Sequence, residues 1–227
     1  MHRQFPGGPP LAVLAVTSTV LFLVGLIAST AMAGTAFPSP SDSAAAIVGY
    51  FRYHPDAVTA SGFFQFAASV PLAIYAATAS SRLRTLGIQA PGAMIAFVGG
   101  ALAAAFLALS GLVTWTLAQP AVLASPPLVQ ALHDLAFAAG GPGSVVPSGL
   151  LIAGLAVPAA FGALLPRWLA GTGLLIALAA EFSALSLLVN GAAYLLPVAR
   201  FAGLAWLITA GVLLPKTRPA AAGPGPA

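Results

Sequence analysis

The chain has 227 residues, 59% of them hydrophobic and 5% charged, with a net charge of +4 and a mean hydropathy of +1.00. A soluble domain carries about 25% charged residues, so this chain cannot clothe itself for water and is expected to be solvated by lipid. Its eight basic residues are scattered over short turns rather than gathered on one face, which argues against a nucleic-acid partner. It has no cysteine, which excludes disulfides, thiolate nucleophiles and Cys-ligated metals or clusters.

A spanning helix needs roughly 20 apolar residues. Residues 11–34 form the first such segment. Met1-His2-Arg3 is a short positive region ahead of it, and Ala31-Met32-Ala33 has the small residues of a signal-peptidase site. The apolar run from Leu11 to Ala28 exceeds the about 7–15 residues of a signal-peptide core, so the segment is expected to stay as an anchor. Cleavage after Ala33 would leave five spans and an outside N-terminus.

Residues 43–54 predict a short amphipathic helix, capped by Ser41 or Ser43 and ended by His54-Pro55, with Ile47, Val48 and Phe51 on one face. The second span covers 58–79 and the third 92–118, joined by a turn carrying Arg82 and Arg84. Residues 127–139 predict a second short helix, with Leu128, Val129, Leu132 and Leu135 on one face and Gly140-Gly141-Pro142-Gly143 ending it. The fourth span is 145–165 and the fifth 169–189, with Arg167 between them; the sixth is 198–214. The tail 215–227, rich in Pro, Ala and Gly, is expected to be disordered. With both termini on one side, six of the basic residues share that side and only Arg52 and Arg200 lie opposite. Basic residues collect on the cytoplasmic side, so both termini are expected there and both short helices on the outer surface.

Two stretches repeat. Ser61-Gly62 and Val70-Pro71 recur as Ser148-Gly149 and Val157-Pro158 at one offset of 87 residues. Phe106 to Val113 matches Phe182 to Val189. Each copy reads as outer helix, span, basic turn and span. Two spans per copy give both copies the same orientation, so the expected relation is a pseudo-twofold axis along the membrane normal.

Lipid supplies no hydrophobic drive between helices, so small residues that let backbones approach are the packing surfaces. Gly100, Ala104, Ala108 and Gly111 form such a stripe on the third span, and Gly173, Ala177, Ala180 and Ala184 on the fifth. Pro71 and Pro158 are expected to kink their helices. Gln65, in mid-span, is expected to hydrogen-bond another helix.

Glu181 is the carboxylate of the spans. At about 1.5 Å per residue it lies about 18 Å into the fifth span, where a charge costs about 3 kcal/mol to insert. It is the candidate for proton or cation coupling; as a structural group it would be a protonated carboxyl bonded to a neighbouring helix. A second constellation is His54, Asp56, His133 and Asp134, all on the expected outer side, one His-Asp pair from each copy. Two imidazoles and two carboxylates suit Zn, Mn or Fe, and His54 with His133 would suit a haem. Their spacings match no ligand motif, and as structural groups they are interfacial polar residues, with Asp56 capping the second span. No catalytic residue emerges: zincin helix, nucleophile elbow, P-loop and dinucleotide fingerprint are all missing.

The segment Ser43 to Phe51, the turn Ser81-Arg82-Leu83-Arg84, the Gly-Gly-Pro-Gly at 140–143 and the run Arg200 to Ile208 resemble a group of six-helix membrane proteins of high-GC actinobacteria. That group has no established activity, so the resemblance implies a fold and assigns no functional residue.

The expected fold is therefore an all-α bundle of six spans with an internal two-span repeat and two short outer helices. The expected function is an accessory, structural or sensor component of the cell membrane, with no cofactor. Its partners would be the bilayer, a second copy or another membrane protein. The alternatives are a small transporter coupled through Glu181, and an enzyme using the outer His/Asp cluster on a lipid-soluble substrate.

Overall fold

A computed structural model describes residues 8–216. The basic residues Arg3 and Arg218, His2 and the tail beyond Lys216 lie outside the described residues. The fold is all-helical, and six helices are long and apolar enough to cross a membrane. They make the chain a multi-pass membrane protein.

Helix α1 (Leu11–Ala33) is the first of these, and its C-terminus is closed by Gly34 at φ 67°. It is built into the bundle: the Ser18 hydroxyl donates to the carbonyl of Ala68, 2.8 Å away. Helix α2 (Ala44–Tyr53) forms as expected, and Ser43 rather than Ser41 caps it by accepting from the Ala46 N–H at 3.3 Å. Ser43→Ala is expected to weaken α2 by about 1 kcal/mol, read as faster amide exchange over 44–51 with the spans unaffected.

His54 ends α2, and Pro55 opens α3 (Pro55–Thr85) with no loop between. Proline tolerates the first helical turn because its missing N–H would be unpaired there anyway. Asp56 consequently lies inside the first turn of α3, where it favours the helix dipole, rather than in the capping position expected of it. The helix is longer than the span 58–79 at both ends and continues through Pro71. Helix α4 (Gly92–Leu117) follows, then the single turn α5 (Pro120–Leu123) and α6 (Pro126–Ala138).

The sequence places a break at Gly140-Gly141-Pro142-Gly143, and here the structure differs. The chain stays helical: a five-residue π turn (Ala139–Gly143) carries α6 into α7 (Ser144–Phe161). Gly141 alone leaves helical geometry, at φ −75° and ψ −108°. Such a wide turn accommodates Pro142, which has no N–H to give. The fourth crossing is therefore one 36-residue unit, Pro126–Phe161, that includes the second short helix.

Helix α8 (Arg167–Phe182) ends earlier than residue 189; the chain tightens into 3-10 turns at Ser183–Leu187 and Asn190–Tyr194 before α9 (Leu195–Leu213).

The crossings form a closed ring in chain order: α1 packs on α3, α3 on α4, α4 on α7, α7 on α8, α8 on α9, and α9 back on α1. Small residues set the closest approaches. A Cβ on Gly111 would stand 2.7 Å from the backbone N of Phe66 and 2.8 Å from the carbonyl oxygen of Gly62. Gly173 lies flat against the Trp206 ring. Both small-residue stripes thus face neighbours within the chain.

The core has two large parts and a small third one, Val145, Ala180, Leu196 and Ala199, where α7, α8 and α9 meet. The largest cluster surrounds the ends near the 86–91 and 162–166 turns, with Leu83, Leu86, Leu165 and Leu214. The second lies under α2, α5 and α6, with Ile47, Phe51, Leu117 and Val129.

A candidate functional site: a polar cavity around Arg200

Between the two large apolar clusters lies a cavity of about 500 Å³. Five of the six crossings and the segment at Phe37-Pro38 contribute to it. From α3 come Ser61 and Gln65, from α4 Ser110 and Thr114, from α6 His133, and from α9 Arg200. Gln65 makes the interhelical contact expected of it: Ser110 Oγ lies 3.0 Å from Gln65 Oε1, and Gln65 Nε2 donates to Ser61 Oγ at 3.2 Å. The same Ser110 Oγ lies 2.9 Å from the carbonyl of Ala136. A hydroxyl carries one proton, so Ser110 serves one of these two acceptors at a time.

Arg200 is the charged side chain of this cavity. It is half-buried, on the second turn of α9. Its guanidinium donates to the carbonyl of Gly140, beside the non-helical Gly141, and lies over the Phe22 ring with Cζ 5.0 Å from the centroid. The first contact occupies a carbonyl next to the break in the helical ladder; the second is a cation–π contact. No carboxylate among the described residues is within ion-pair distance of Arg200.

A second pocket of about 40 Å³ shares Phe22 and Arg200 with the first and also touches Ser18, Ser144 and Ser148. Its floor is apolar: Leu72 and Leu207 line it, and Tyr75, 1% exposed, donates from its hydroxyl to the Leu207 carbonyl at 3.0 Å.

No family model matches the chain, and no curated protein or solved structure matches it either. The likeness to six-helix actinobacterial proteins stays with the quoted residues, and the site is read from its own chemistry.

His133 is 1% exposed, and its Nε2 lies 3.1 Å from the Pro38 carbonyl. A carbonyl only accepts, so Nε2 carries the proton. The ring is packed by Phe37, 6.0 Å away and stacked, and by Phe51, 5.6 Å away and edge-on. This fixes the α1–α2 connection over the cavity. Its Nδ1 has no hydrogen bond; the nearest acid is Asp134 Oδ1 at 3.5 Å, on a side chain 59% exposed. His54 lies against Tyr50 at 5.2 Å, and Asp56 is exposed. Among the described residues, no three His, Asp or Glu side chains come together in a group fit for a metal. Burial among aromatic rings pushes the Tyr50 phenol above its ordinary pKa.

Glu181 lies elsewhere. It is exposed, on an outward stripe with Leu174 and Leu178 of α8, and it lines neither chamber. Its carboxylate lies beside α7, where a Cβ added at Gly149 would stand 3.3 Å from Glu181 Oε1.

Sequence reasoning assigned Arg200 to the outer surface as an orientation signal and so missed the cavity. A signal was present: Leu195-Leu196-Pro197-Val198-Ala199 precede it. An arginine with apolar sequence on both sides lies inside a helix rather than at its edge.

Proposed function

We propose that this protein is an accessory or sensor component of a cell-membrane assembly rather than a transporter. The observation that carries this reading is the position of Glu181. A coupling carboxylate has to line the path of its ion, and Glu181 is exposed on α8 and lines neither of the two pockets around Arg200. A carboxyl group facing hydrocarbon is costly. A hydrogen-bond donor on a neighbouring membrane protein, or on a second copy, would remove that cost and make α8 the docking face.

The bundle is taken to lie in the cell membrane with both termini cytoplasmic, as the basic turns favour, and with α2 and α6 at the outer surface. It is further taken to derive from duplication. In each copy the repeated glycine packs on the next crossing, Gly62 on α4 and Gly149 on α8. The two contacts fall at non-equivalent positions, Gly111 and Trp115 against Ala177 and Ala180, so the copies have diverged in register. The outer His/Asp set as a metal or enzyme centre has no such support.

The test uses full-length protein. In proteoliposomes under a proton gradient, wild type and Glu181→Gln are expected to match empty liposomes. In native-lipid nanodiscs, Glu181→Leu is expected to lose a co-purifying or self-associated partner that Glu181→Gln retains. A proton flux in wild type that Glu181→Gln abolishes would put the transporter first.

A further inference from the structure

We propose that the cavity around Arg200 binds a single-chain amphiphile carrying one carboxylate, with the carboxylate on the guanidinium and the chain among the apolar walls. This goes beyond the accessory role and does not depend on it. A guanidinium has five N–H donors; the structure gives Arg200 one hydrogen-bond partner, Gly140, and one aromatic face, Phe22. The remaining donors border a space whose other polar side chains are Ser29, Ser61, Gln65, Ser110, Thr114 and His133, none of them an acid.

The chain itself cannot supply the counter-charge. It has four acids. Asp42 accepts from the Ser39 N–H at 2.8 Å, Asp56 and Asp134 are exposed at helix surfaces, and Glu181 is on the outer face of α8. An unpaired cation within a membrane bundle is costly, and such residues pair or mark a ligand path.

The charge count excludes a dianion, and the planar fork and the narrow apolar lining favour a carboxylate head on a single chain. A carboxylate is a monoanion whose planar edge matches the guanidinium fork. A phosphate monoester would bring a second charge with no partner. The rest of the lining is apolar and aromatic, including Leu26, Phe37, Phe137, Leu196 and Phe201. About 500 Å³ falls within the roughly 300–1,000 Å³ of small-molecule sites.

The way in is from the bilayer. Helices α1 and α9 meet tightly at one end, where a Cβ on Gly211 would stand 2.8 Å from the backbone N of Ala12. Towards the other end the cavity lies between them: Leu26 and Ser29 of α1 line it, as do Leu196 and Pro197 of α9. Leu26 and Phe201 are 42% and 43% exposed, so an apolar chain meets apolar surface throughout.

The experiment measures binding of a fluorescent C16 fatty acid and of its methyl ester to full-length protein in phosphatidylcholine nanodiscs. The acid is expected to bind saturably and at least about tenfold more tightly than the ester, as loss of a charge-assisted hydrogen-bonded pair implies. Arg200→Gln is expected to remove that preference by lowering acid affinity at least about tenfold, with a smaller loss for the ester, while Arg200→Lys keeps part of it. If Arg200→Gln does not fold, the acid-to-ester ratio in wild type and in Arg200→Lys decides. Equal binding of acid and ester, no saturable binding, or an unchanged acid affinity in Arg200→Gln would each overturn the proposal. Two competitors separate the source of the anion. Displacement by phosphatidylglycerol in the disc would assign the site to a phospholipid headgroup, and displacement by millimolar butyrate to a soluble anion. Either would overturn the single-chain ligand, and resistance to both supports it.

Discussion

Trp206→Ala is expected to be the most damaging single truncation in the chain, lowering stability by about 3 kcal/mol. Trp206 is 3% exposed, fills the space over Gly173, and donates from its indole Nε1 to the Leu169 carbonyl at 2.8 Å. It therefore fastens α9 to α8 by shape and by a hydrogen bond at once. In a soluble core a Trp→Ala change costs about 3–5 kcal/mol. Within lipid the water-transfer part of that cost is missing, which leaves the unfilled cavity and the unpaired carbonyl and puts the effect at the lower end. Thermal unfolding in mild detergent reads it. Trp206→Phe should recover most of the packing but not the bond, and so fall between. A midpoint for Trp206→Ala within a degree or two of wild type would mean that α9 is held by something else.

The second large effect is expected at the crossing of α3 and α4. Gly111→Ala should cost about 3 kcal/mol, the upper end of the range for overpacking. The added methyl would meet backbone atoms of α3, at 2.7 and 2.8 Å, and backbone cannot rotate aside as a side chain can. Moving α4 outward would also pull Ser110 from Gln65 and disturb the cavity. Gly171→Ala is the control. Gly171 has nothing within 4 Å of an added Cβ, and alanine is the better helix former by up to about 1 kcal/mol. Reversible unfolding in a denaturing-detergent titration should show Gly111→Ala strongly destabilised and Gly171→Ala unchanged or slightly improved. Equal losses at both would show that any change in α4 or α8 disturbs the bundle, with no special role for the close crossing.

Six crossings were legible in the sequence because long apolar runs are a one-dimensional signal. A cap at Ser41 or Ser43 and the two small-residue stripes were legible for a related reason, since each depends on spacing within one helix, but which neighbour the stripes meet was not. What the sequence hid depends on neighbours. The four residues Gly140-Gly141-Pro142-Gly143 read as a stop because each weakens a helix alone. In the structure a π turn and a guanidinium from α9 carry the helix through them. Arg200 read as a surface charge because it stood near the start of the expected span 198–214, yet α9 begins at Leu195 and carries it on the second turn. The cavity joins Arg200 to residues of α1, α3, α4 and α6, and no window along the chain contains them together. Glu181 was visible as a carboxylate in a span, but whether it faced inward or outward depended on which side of α8 met α7 and α9.

The ring of crossings, closed in chain order, also dictates an order of birth. During synthesis each new crossing finds its partner already inserted: α3 meets α1, α4 meets α3, α7 meets α4 and α8 meets α7. Only the last has two tasks, since α9 must dock on α8 and return to α1. Until it does, the nascent chain is an open arc whose serines and Gln65 face lipid without a wall across from them. The chamber and its arginine thus come into existence together, as the final act of assembly, and a chain halted before Leu195 would keep most of its helices and the packing between them but not the chamber.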